Sequence, residues 1–306
     1  MRAMTSSERV RKVVFPAGGL GTRILPATAV LPKELLPIVD KPLIQYGVEE
    51  AAESGLSRVI LVNNPTKTII EDHFTSHREL QEVLERRGKA ALLASLRDLA
   101  LRIELSTVYQ NEPHGLGQAV LLSRNLVGDE PFAVVLSDDI IDADPPALRQ
   151  MLTVFDKVNG PVLLVERVPR EAVQRYGIID GEALGDRVFR VNDLIEKPSP
   201  NEAPSDLAIV GRYLLTPDVF PALEQTGRDA GGEIQLTDGL RRLLQTRPLH
   251  AVELDGVRHD AGTKPGYLRA ILYFASTHPE LKDDVKAMIR SILDGPSRGP
   301  GTGVPA

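Results

Sequence analysis

The stretch Lys12–Pro42, KVVFPAGGLGTRILPATAVLPKELLPIVDKP, joins a short apolar run to a glycine-rich loop. Residues 12–15 are rich in β-branched and aromatic side chains, which is typical of a buried strand. Gly18, Gly19 and Gly21 follow within four positions. Glycines at this density let the backbone turn sharply and bring bare N–H groups close to a ligand, and such groups suit phosphate oxygens. The stretch therefore predicts a strand that ends in a phosphate-binding loop.

Two cationic residues, Arg23 and Lys33, lie in the same loop. An arginine can hold two oxygens at once and a lysine acts as a mobile point charge, so together they favour a polyphosphate ligand. The P-loop string G-x-x-x-x-G-K-[ST] does not occur, and Ile24 stands where a dinucleotide-binding G-x-G-x-x-G motif needs its third glycine. Taken alone, the glycines are equally compatible with a tight turn that binds nothing.

Composition narrows the class of protein. The chain has 306 residues, enough for one large domain, and its 42% hydrophobic and 25% charged residues are ordinary for a globular enzyme. A net charge of −6 argues against a general nucleic-acid binder. The absence of cysteine excludes disulfides and thiol catalysis, and the absence of any apolar run of about 18 residues predicts no membrane span. These features fit a cytoplasmic protein.

The order of apolar runs predicts an α/β fold. Asp40-Lys41-Pro42 predicts the start of a helix after the loop, and residues 58–63 predict a second buried strand. Residues 78–100 predict a charged, amphipathic helical excursion. Strand, loop, helix, strand and helix in this order are typical of a Rossmann-like fold, with a mixed, mainly parallel central sheet flanked by helices.

Two later loops carry polar residues directly after predicted strands. Gln110 and Gly115 follow the strand at 103–109, and a glutamine amide offers both the donors and the acceptor that reading a base edge needs. Asp138 follows the buried run at 131–136, where open α/β sheets bind ligands and a carboxylate can hold Mg²⁺ on a phosphate. Each loop is also compatible with a capped turn that has no ligand.

Glu196 and Lys197 close an apolar strand just before Pro198. Successive strand residues point to opposite faces of a sheet, so the pair is compatible with two unrelated surface charges. Alternatively, the carboxylate takes two sugar hydroxyls and the ammonium holds a phosphate, which describes a sugar-phosphate site.

Gly19-Leu20-Gly21-Thr22-Arg23 followed by Pro32-Lys33 resembles the signature of the sugar-1-phosphate nucleotidylyltransferase family. The string at 26–51, PATAVLPKELLPIVDKPLIQYGVEEA, is similar to the branch of that family that acts on UTP and glucose 1-phosphate. The resemblance extends over residues 10–292, with the motifs in the family's order.

The resemblance implies a fold of the nucleotide-diphospho-sugar transferase type, in a single domain over residues 10–292. Its expected parts are a nucleotide-binding half at 10–140, a sugar-phosphate half at 141–264 and C-terminal helices at 265–292. Residues 295–306 are expected to form a disordered tail, because this glycine- and proline-rich segment has almost no apolar side chains to bury.

The resemblance also implies an activity, the Mg²⁺-dependent transfer of a uridylyl group from UTP to glucose 1-phosphate, giving UDP-glucose and pyrophosphate. The implied nucleotide contacts are Ala17, Gly18, Gly19, Gly21, Thr22, Gln110 and Gly115. The implied sugar-phosphate contacts are Gly177, Glu196, Lys197, Gly211 and Glu233. The implied catalytic charges are Arg23, Lys33 and Lys197, and the implied Mg²⁺ ligands are Asp138 and Asp260. The expected assembly is a homodimer or homotetramer without nucleic acid or membrane partners.

Two positions depart from the family pattern. Ala29 stands where family members commonly carry lysine, and Ser137 stands where they usually carry proline. Loss of a cation near the triphosphate leaves open a paralogue that uses another NTP or another sugar or cyclitol 1-phosphate. A non-catalytic protein that senses nucleotide sugars on the same fold is the second alternative.

Overall fold

The structure is a computed structural model that describes residues 10–75 and 77–293. In those ranges the strands are β1 (Lys12–Pro16), β2 (Pro37–Ile38), β3 (Lys41–Pro42), β4 (Arg58–Asn63), β5 (Glu104–Tyr109), β6 (Phe132–Val135), β7 (Asp139–Asp142), β8 (Val162–Arg167), β9 (Gly177–Gly185), β10 (Val188–Glu196), β11 (Leu207–Leu215), β12 (His250–Glu253) and β13 (Val257–Asp260). Nine of them form one sheet in the order β5-β4-β1-β6-β11-β8-β12-β10-β9. The pairs β2–β3 and β7–β13 form two small antiparallel ribbons.

The helices connect these strands and cover the main sheet. They are α1 (Leu43–Glu53), α2 (Ile69–His73), α3 (Arg78–Arg86), α4 (Ala94–Arg102), α5 (Leu116–Leu122), α6 (Arg124–Val127), α7 (Ala147–Val158), α8 (Val219–Glu224), α9 (Leu236–Leu243), α10 (Lys264–Thr277) and α11 (Lys282–Leu293). Short 3-10 turns occur at Thr22–Ile24, Ala27–Ala29, Lys33–Leu35, Ala90–Leu93 and Arg170–Arg175.

The first half of the sheet is parallel and buried on both faces. β1 pairs in parallel with β4 and β6, and β5 continues the parallel set beyond β4. Val14 packs into one core together with α5, α8 and α9, whereas Val13 and Phe15 pack into another core together with α1 and α7. Successive strand residues thus reach opposite cores, which explains the uninterrupted apolar runs in this half of the chain.

The second half of the sheet is largely antiparallel. All nine residues of β11 are buried, and the strand runs antiparallel to its neighbours β6 and β8. β9 and β10 form a long antiparallel hairpin. The predicted fold class, a Rossmann-like mixed sheet flanked by helices, is confirmed. The sheet is not mainly parallel as predicted, because four of its eight neighbouring strand pairs are parallel and four are antiparallel.

Local details differ from the sequence predictions. Asp40 does not cap the first helix, because Lys41–Pro42 forms β3 and the helix begins only at Leu43. The excursion at 78–100 is broken into α3 and α4 by the turn Ala90–Leu93. The predicted tail at 295–306 lies outside the described residues. The proposed division of the chain into halves stays a prediction.

Across residues 10–75 and 77–293, no helix combines the length and the apolar character needed to cross a membrane.

Candidate active site

A cleft of about 610 Å³ opens where several strands begin or end. It is lined by residues for which the resemblance implies three different roles. These are Arg23, Asp138, Gly177, Glu196, Lys197, Gly211, Glu233 and Asp260. An adjoining cavity of about 210 Å³ is lined by Gly19, Gly21, Thr22, Arg23, Lys33 and Asp138. The two spaces share Arg23 and Asp138, so the glycine-rich loop and the cleft meet at those side chains.

The glycine-rich loop is held in a left-handed turn by a neighbouring side chain. Gly21 has φ of 64°, a conformation that glycine adopts without steric cost. The hydroxyl of Thr28 donates to its carbonyl oxygen at 2.7 Å. The exposed guanidinium of Arg23 has no ion-pair partner within the described part of the chain. Arg23 is therefore available to an anionic ligand.

Lys67, which the sequence analysis did not predict as a site residue, holds the glycine-rich loop through hydrogen bonds to its backbone. Its ammonium donates to the carbonyl oxygens of Ala17, at 3.1 Å, and Gly19, and it pairs with the carboxylate of Glu34 at 3.3 Å. Glu34 is fully buried, and burial raises its pKa against the opposing charges of Lys33 and Lys67. These contacts fix the carbonyl groups of Ala17 and Gly19 on the side of the loop that faces Lys67.

Lys33 and Asp138 form an ion pair between the loop and the turn after β6. The Nζ atom of Lys33 lies 2.7 Å from Oδ2 of Asp138. Burial opposes ionisation of Asp138, but the charge and hydrogen bond of Lys33 outweigh it, so the pKa of Asp138 lies below its ordinary value. Burial likewise opposes the charge on Lys33, and Asp138 raises the pKa of Lys33 above its ordinary value. Both side chains are thus charged at neutral pH.

The two predicted metal ligands converge on Gly262. A Cβ atom at that position would lie 2.9 Å from Oδ2 of Asp138 and 3.2 Å from Oδ1 of Asp260, so glycine leaves the space between the carboxylates open. No group of three or more histidine, cysteine, aspartate or glutamate side chains able to hold a metal occurs in residues 10–75 and 77–293. Mg²⁺ bound to phosphates commonly takes only one or two carboxylates from the protein. The pair therefore fits a Mg²⁺ ion that is completed by substrate.

Asp260 has two partners of its own. The Nη2 atom of Arg175 donates to its Oδ2 at 2.7 Å, and the backbone N–H of Gly262 donates to its Oδ1 at 3.0 Å. Arg175 ends the 3-10 turn that precedes β9, and its side chain lines the cleft. The sequence did not predict Arg175 as a site residue.

Asp139 and Arg258 form an ion pair that lines the cleft next to the two predicted metal ligands, Asp138 and Asp260. Arg258 donates to Oδ1 of Asp139 through Nε, at 2.7 Å, and Nη2, at 2.6 Å, and its Nη1 donates to Glu166 at 2.6 Å. Asp139 is also the cross-strand partner of Asp260 in the β7–β13 ribbon. Burial, opposed by Arg258 and reinforced by Asp138, raises the pKa of Asp139 to about 6. Sequence reasoning missed Arg258, although residues two apart on a strand share a face and Asp260 is two residues on.

A fully buried ion pair fixes the turn that carries Asp138. Arg212 donates to Oε2 of Glu50 through Nε, at 3.0 Å, and Nη2, at 2.7 Å, and neither side chain is more than 8% exposed. The remaining N–H groups of Arg212 donate to the carbonyl oxygens of Leu136, Gly211 and Asp139. One guanidinium therefore holds the backbone on both sides of Ser137-Asp138.

The predicted base-reading residues lie together beyond the loop. A Cβ atom at Gly18 would meet Oε1 of Gln110 at 2.6 Å, so only glycine leaves that amide room. Gln110 is 4% exposed, and its Nε2 donates to Oε1 of Gln118 at 2.7 Å, which fixes the amide. The N–H of Ala17 is already bonded to the Val62 carbonyl oxygen at 2.8 Å, so this amide is not free for a nucleotide.

Gly115 approaches a neighbouring segment of the protein. Its φ is 97°, and a Cβ atom there would lie 2.6 Å from the carbonyl oxygen of Ile234 and 2.9 Å from Cβ of Glu233. The N–H of Gly117 donates to Ile234 and the N–H of Ile234 donates to His114, both at 2.8 Å. We call this contact between residues 114–117 and 233–234 the seam. The prediction that Gly115 approaches a base stays untested, but the seam alone explains why glycine is needed.

Glu196 and Lys197 both line the cleft, although they are neighbours at a strand end. Lys197 has φ of 45°, which is uncommon for a residue with a side chain and breaks the alternation of the strand. The hydroxyl of Thr237 donates to Oε2 of Glu196 at 2.7 Å, and Oε1 of Glu196 lies 3.1 Å from the Lys197 ammonium. Gly177 is the cross-strand partner of Glu196, and a Cβ there would lie 2.7 Å from Oγ1 of Thr237. The structure therefore favours a shared site over two unrelated surface charges.

The remaining predicted sugar-side residues close the cleft. Gly211 lies at a bulge in β11, where a Cβ atom would meet Oδ2 of Asp139 at 2.5 Å. The carboxylate of Glu233 accepts a hydrogen bond from Nε2 of Gln235 at 3.0 Å, and that amide also donates to Asp229 at 2.8 Å. Glu233 thus reaches the cleft from the segment that also forms the seam.

Known proteins resemble this chain in both sequence and structure. Residues 12–277 match the family described as Nucleotidyl transferase. The chain belongs to the nucleotidyl transferase family. Among curated relatives, the UTP–glucose-1-phosphate uridylyltransferase of Bacillus subtilis strain 168 is 45% identical over 287 residues, which is 94% of this chain and 98% of the relative.

Solved structures of the same nucleotidyl transferase family superpose closely. A UDP-glucose pyrophosphorylase complexed with UDP-glucose has a TM-score of 0.81 at 40% identity, covering 88% of this chain and 100% of that one. A UTP-bound UGPase from Acinetobacter baumannii has a TM-score of 0.86 at 36% identity, covering 92% and 99%. The predicted resemblance, and with it the prediction that the chain is a nucleotidyltransferase enzyme, is confirmed.

The two departures from the family pattern lie in different settings. Ala29 is exposed in the 3-10 turn after Thr28 and lines neither the cleft nor the adjoining cavity. Ser137 is buried, and its hydroxyl has no hydrogen-bond partner within the described ranges. Ala29 thus leaves the lining of the cleft unchanged, whereas Ser137 lies next to Asp138.

Proposed function

We propose that the protein transfers a uridylyl group from UTP to glucose 1-phosphate and releases pyrophosphate. The observation that carries this proposal is the joint lining of one cleft and its adjoining cavity by Arg23, Lys33, Asp138, Lys197 and Asp260. Arg23 and Lys33 suit a triphosphate, and Lys197 suits a sugar phosphate. The carboxylates of Asp138 and Asp260 line the same space. The names of the relatives, UTP–glucose-1-phosphate uridylyltransferases, support the same two substrates.

The proposed reaction requires alignment of two anions. A phosphate oxygen of glucose 1-phosphate attacks the α-phosphorus of UTP, the new O–P bond forms, and the bond to the leaving pyrophosphate breaks. The nucleophile is already an anion near neutral pH, so no general base is required. Lys197 orients the attacking phosphate, and Arg23 neutralises the charge that develops on pyrophosphate.

Asp138 and Asp260 are the residues that would hold Mg²⁺. When bound, the ion would supply positive charge that stabilises the phosphate groups of the substrates. Lys33 is already paired with Asp138, so it is placed to exchange this carboxylate for a triphosphate oxygen. The proposed mechanism is therefore an exchange of protein ion pairs for contacts with the substrates.

We assign substrate choice to Gln110, which faces Gly18 of the glycine-rich loop, and to Glu196, which lines the cleft. The amide of Gln110, fixed by Gln118 and facing Gly18, offers donor and acceptor groups to the uracil edge. The carboxylate of Glu196, fixed by Thr237, accepts hydrogen bonds from sugar hydroxyls. We extend the proposal to a cytoplasmic location, which the absence of cysteine fits.

The deciding experiment measures pyrophosphate release. The purified protein is incubated with Mg²⁺, glucose 1-phosphate and each common NTP in turn, and then with UTP and a panel of other sugar and cyclitol 1-phosphates. Release with UTP and glucose 1-phosphate, well above every other pair, is the expected result. Faster release with another NTP or another phosphate would replace these substrates, and tight binding without release across the panel would indicate a sensing protein.

A further inference from the structure

Arg175 is bound to the acid that the proposed function gives to the metal. Its Nη2 atom lies 2.7 Å from Oδ2 of Asp260, and its side chain is 49% exposed. The residue ends the turn Arg170–Arg175, next to Tyr176 and Gly177, and it lines the cleft together with Asp138. A half-exposed cation thus occupies one oxygen of a carboxylate inside the site.

The attachment of Arg175 differs from that of Arg258 in the same cleft. Arg258 is 6% exposed and is held by both Asp139 and Glu166. For Arg175, Asp260 is the single ion-pair partner that the described residues supply, and the ring of Tyr176 lies 5.6 Å from its guanidinium carbon. Arg258 is therefore built into the framework, whereas Arg175 can leave Asp260 by a change in side-chain rotamers.

We propose that Arg175 is a substrate-binding residue that pairs with Asp260 as long as no cation is bound there, and moves to the phosphate of the sugar phosphate when a divalent cation takes Asp260. The inference rests on the proposed function, because that function supplies the cation and the sugar phosphate. A cation on Oδ2 of Asp260 and the guanidinium of Arg175 compete for the same atom. The backbone N–H of Lys197 donates to the carbonyl oxygen of Tyr176 at 2.9 Å, so Arg175 and Lys197 lie on adjoining segments of the cleft wall. Once displaced, the guanidinium of Arg175 can hold two phosphate oxygens.

The exchange explains how the carboxylates of the cleft stay neutralised both with and without a bound divalent cation. Without ligand, Asp138 and Asp260 are neutralised by Lys33 and Arg175 respectively. With ligand, the divalent cation takes over the carboxylates, and both protein cations become available to the phosphates. The number of charges in the protein stays constant, and only their partners change.

The test compares Arg175→Gln with Arg241→Gln. Arg241 makes a bidentate pair with Asp193 that is likewise about half exposed, but it does not line the cleft. Binding of Mn²⁺ to the nucleotide-free protein is followed by electron paramagnetic resonance, and KM is measured separately for glucose 1-phosphate and UTP. For Arg175→Gln we expect at least threefold tighter Mn²⁺ binding and about a tenfold or larger rise in the KM for glucose 1-phosphate, in line with loss of a charged hydrogen bond. The KM for UTP should stay within about threefold, and Arg241→Gln should change none of these values.

The exchange of partners predicts that Arg175→Gln binds Mn²⁺ more tightly and glucose 1-phosphate more weakly than the wild type. Unchanged or weaker Mn²⁺ binding in Arg175→Gln would overturn the proposal, as would an unchanged KM for glucose 1-phosphate. Arg175→Lys should restore part of the affinity for the sugar phosphate. The Mn²⁺ measurement needs no turnover, so a wild-type protein that releases no pyrophosphate from any substrate pair overturns the proposed function through a separate measurement.

Discussion

Asp138 is the residue on which the two halves of the cleft depend. It pairs with Lys33 from the glycine-rich loop, faces Asp260 across Gly262, and lies in a turn whose backbone is held by Arg212. These contacts place one carboxylate between the proposed triphosphate and sugar-phosphate sites. Its charge should therefore matter more to turnover than to folding.

Asp138→Asn tests this dependence with little change of shape. We expect kcat to fall at least about 100-fold, because a preorganised charge at the reacting phosphates is lost. Steady-state release of pyrophosphate measures the effect, and circular dichroism checks that the fold persists. Asp206→Asn, at an exposed pair with Arg167, is the matched control and should retain wild-type turnover. Turnover of Asp138→Asn within about twofold of wild type would remove Asp138 from the mechanism.

Asp139 gives the site a predicted dependence on pH. Its pKa in the folded protein is raised to about 6, so it takes up a proton as the pH falls from 7 to 5 and weakens its pair with Arg258. We expect kcat/KM to fall through this range. The unfolded chain takes up the same proton only near its ordinary pKa of about 3.9, so this group makes the folded state more stable, relative to neutral pH, as the pH falls.

The measurement compares wild type with Asp139→Asn, in both activity and unfolding free energy, from pH 5 to 7.5. As the pH falls, the unfolding free energy of the wild type should rise relative to that of Asp139→Asn, while the activity of the wild type declines. If the activity of Asp139→Asn falls at low pH with the same midpoint as that of the wild type, another group is responsible for the pH dependence.

At the scale of elements, the seam joins the loop before α5 to the segment before α9. Reciprocal backbone hydrogen bonds at 2.8 Å connect these segments, and Gly115 packs against them without space for a Cβ atom. One segment belongs to the predicted nucleotide-binding half and the other to the predicted sugar-phosphate half. The seam therefore connects the loop that follows Gln110 to the segment that carries Glu233.

Gly115→Ala should disturb this seam. The added methyl group would overlap the Ile234 backbone at a φ that alanine rarely adopts, so we expect a loss of about 1–3 kcal/mol in unfolding free energy and a lower turnover. Gly128→Ala is the control, since Gly128 also has positive φ, 65°, but no atom within 4 Å of the added Cβ. Urea unfolding measures the unfolding free energy of both variants, and pyrophosphate release measures their turnover. Equal losses in the two variants would mean that backbone conformation alone is responsible.

Single elements show what the sequence could and could not predict about the site. Strand ends followed by Gly18, Gln110 and Asp138 were recognisable, because apolar runs stop abruptly before polar residues. The shared orientation of Glu196 and Lys197 was not, since the alternation rule assumes regular strand dihedrals and Lys197 has φ of 45°. Contacts of Lys67, Arg175 and Arg258 depend on distant segments that carry no local pattern.

For the whole molecule, the layered α/β arrangement was predictable and strand direction only in part. Helices between the early strands require parallel pairing of β1, β4 and β5, as observed. β11 is buried along its whole length, and a fully buried run reads the same whether it pairs in parallel or antiparallel. Its antiparallel position between β6 and β8 therefore needed the structure.

The predicted homo-oligomer is a property of the whole molecule and stays a prediction. Leu268 and Leu272 lie one helical turn apart on α10, with exposures of 57% and 43%. We expect sedimentation equilibrium to give a dimer or tetramer mass, and Leu268→Asp/Leu272→Asp to lower it. Leu101→Asp, at a residue 81% exposed on α4, is the control for adding charge and should leave the mass unchanged. A monomeric wild type would contradict the prediction.

The pair Glu50–Arg212 has a consequence for how this sequence can change over time. Removing one member of a buried ion pair costs about 3–5 kcal/mol, against a typical net stability of about 5–15 kcal/mol. Here the loss would be compounded, because Arg212 also holds three backbone carbonyl groups around the turn of Asp138. A mutational path that replaces the two residues one at a time passes through a destabilised intermediate, so we expect the two positions to change together or not at all.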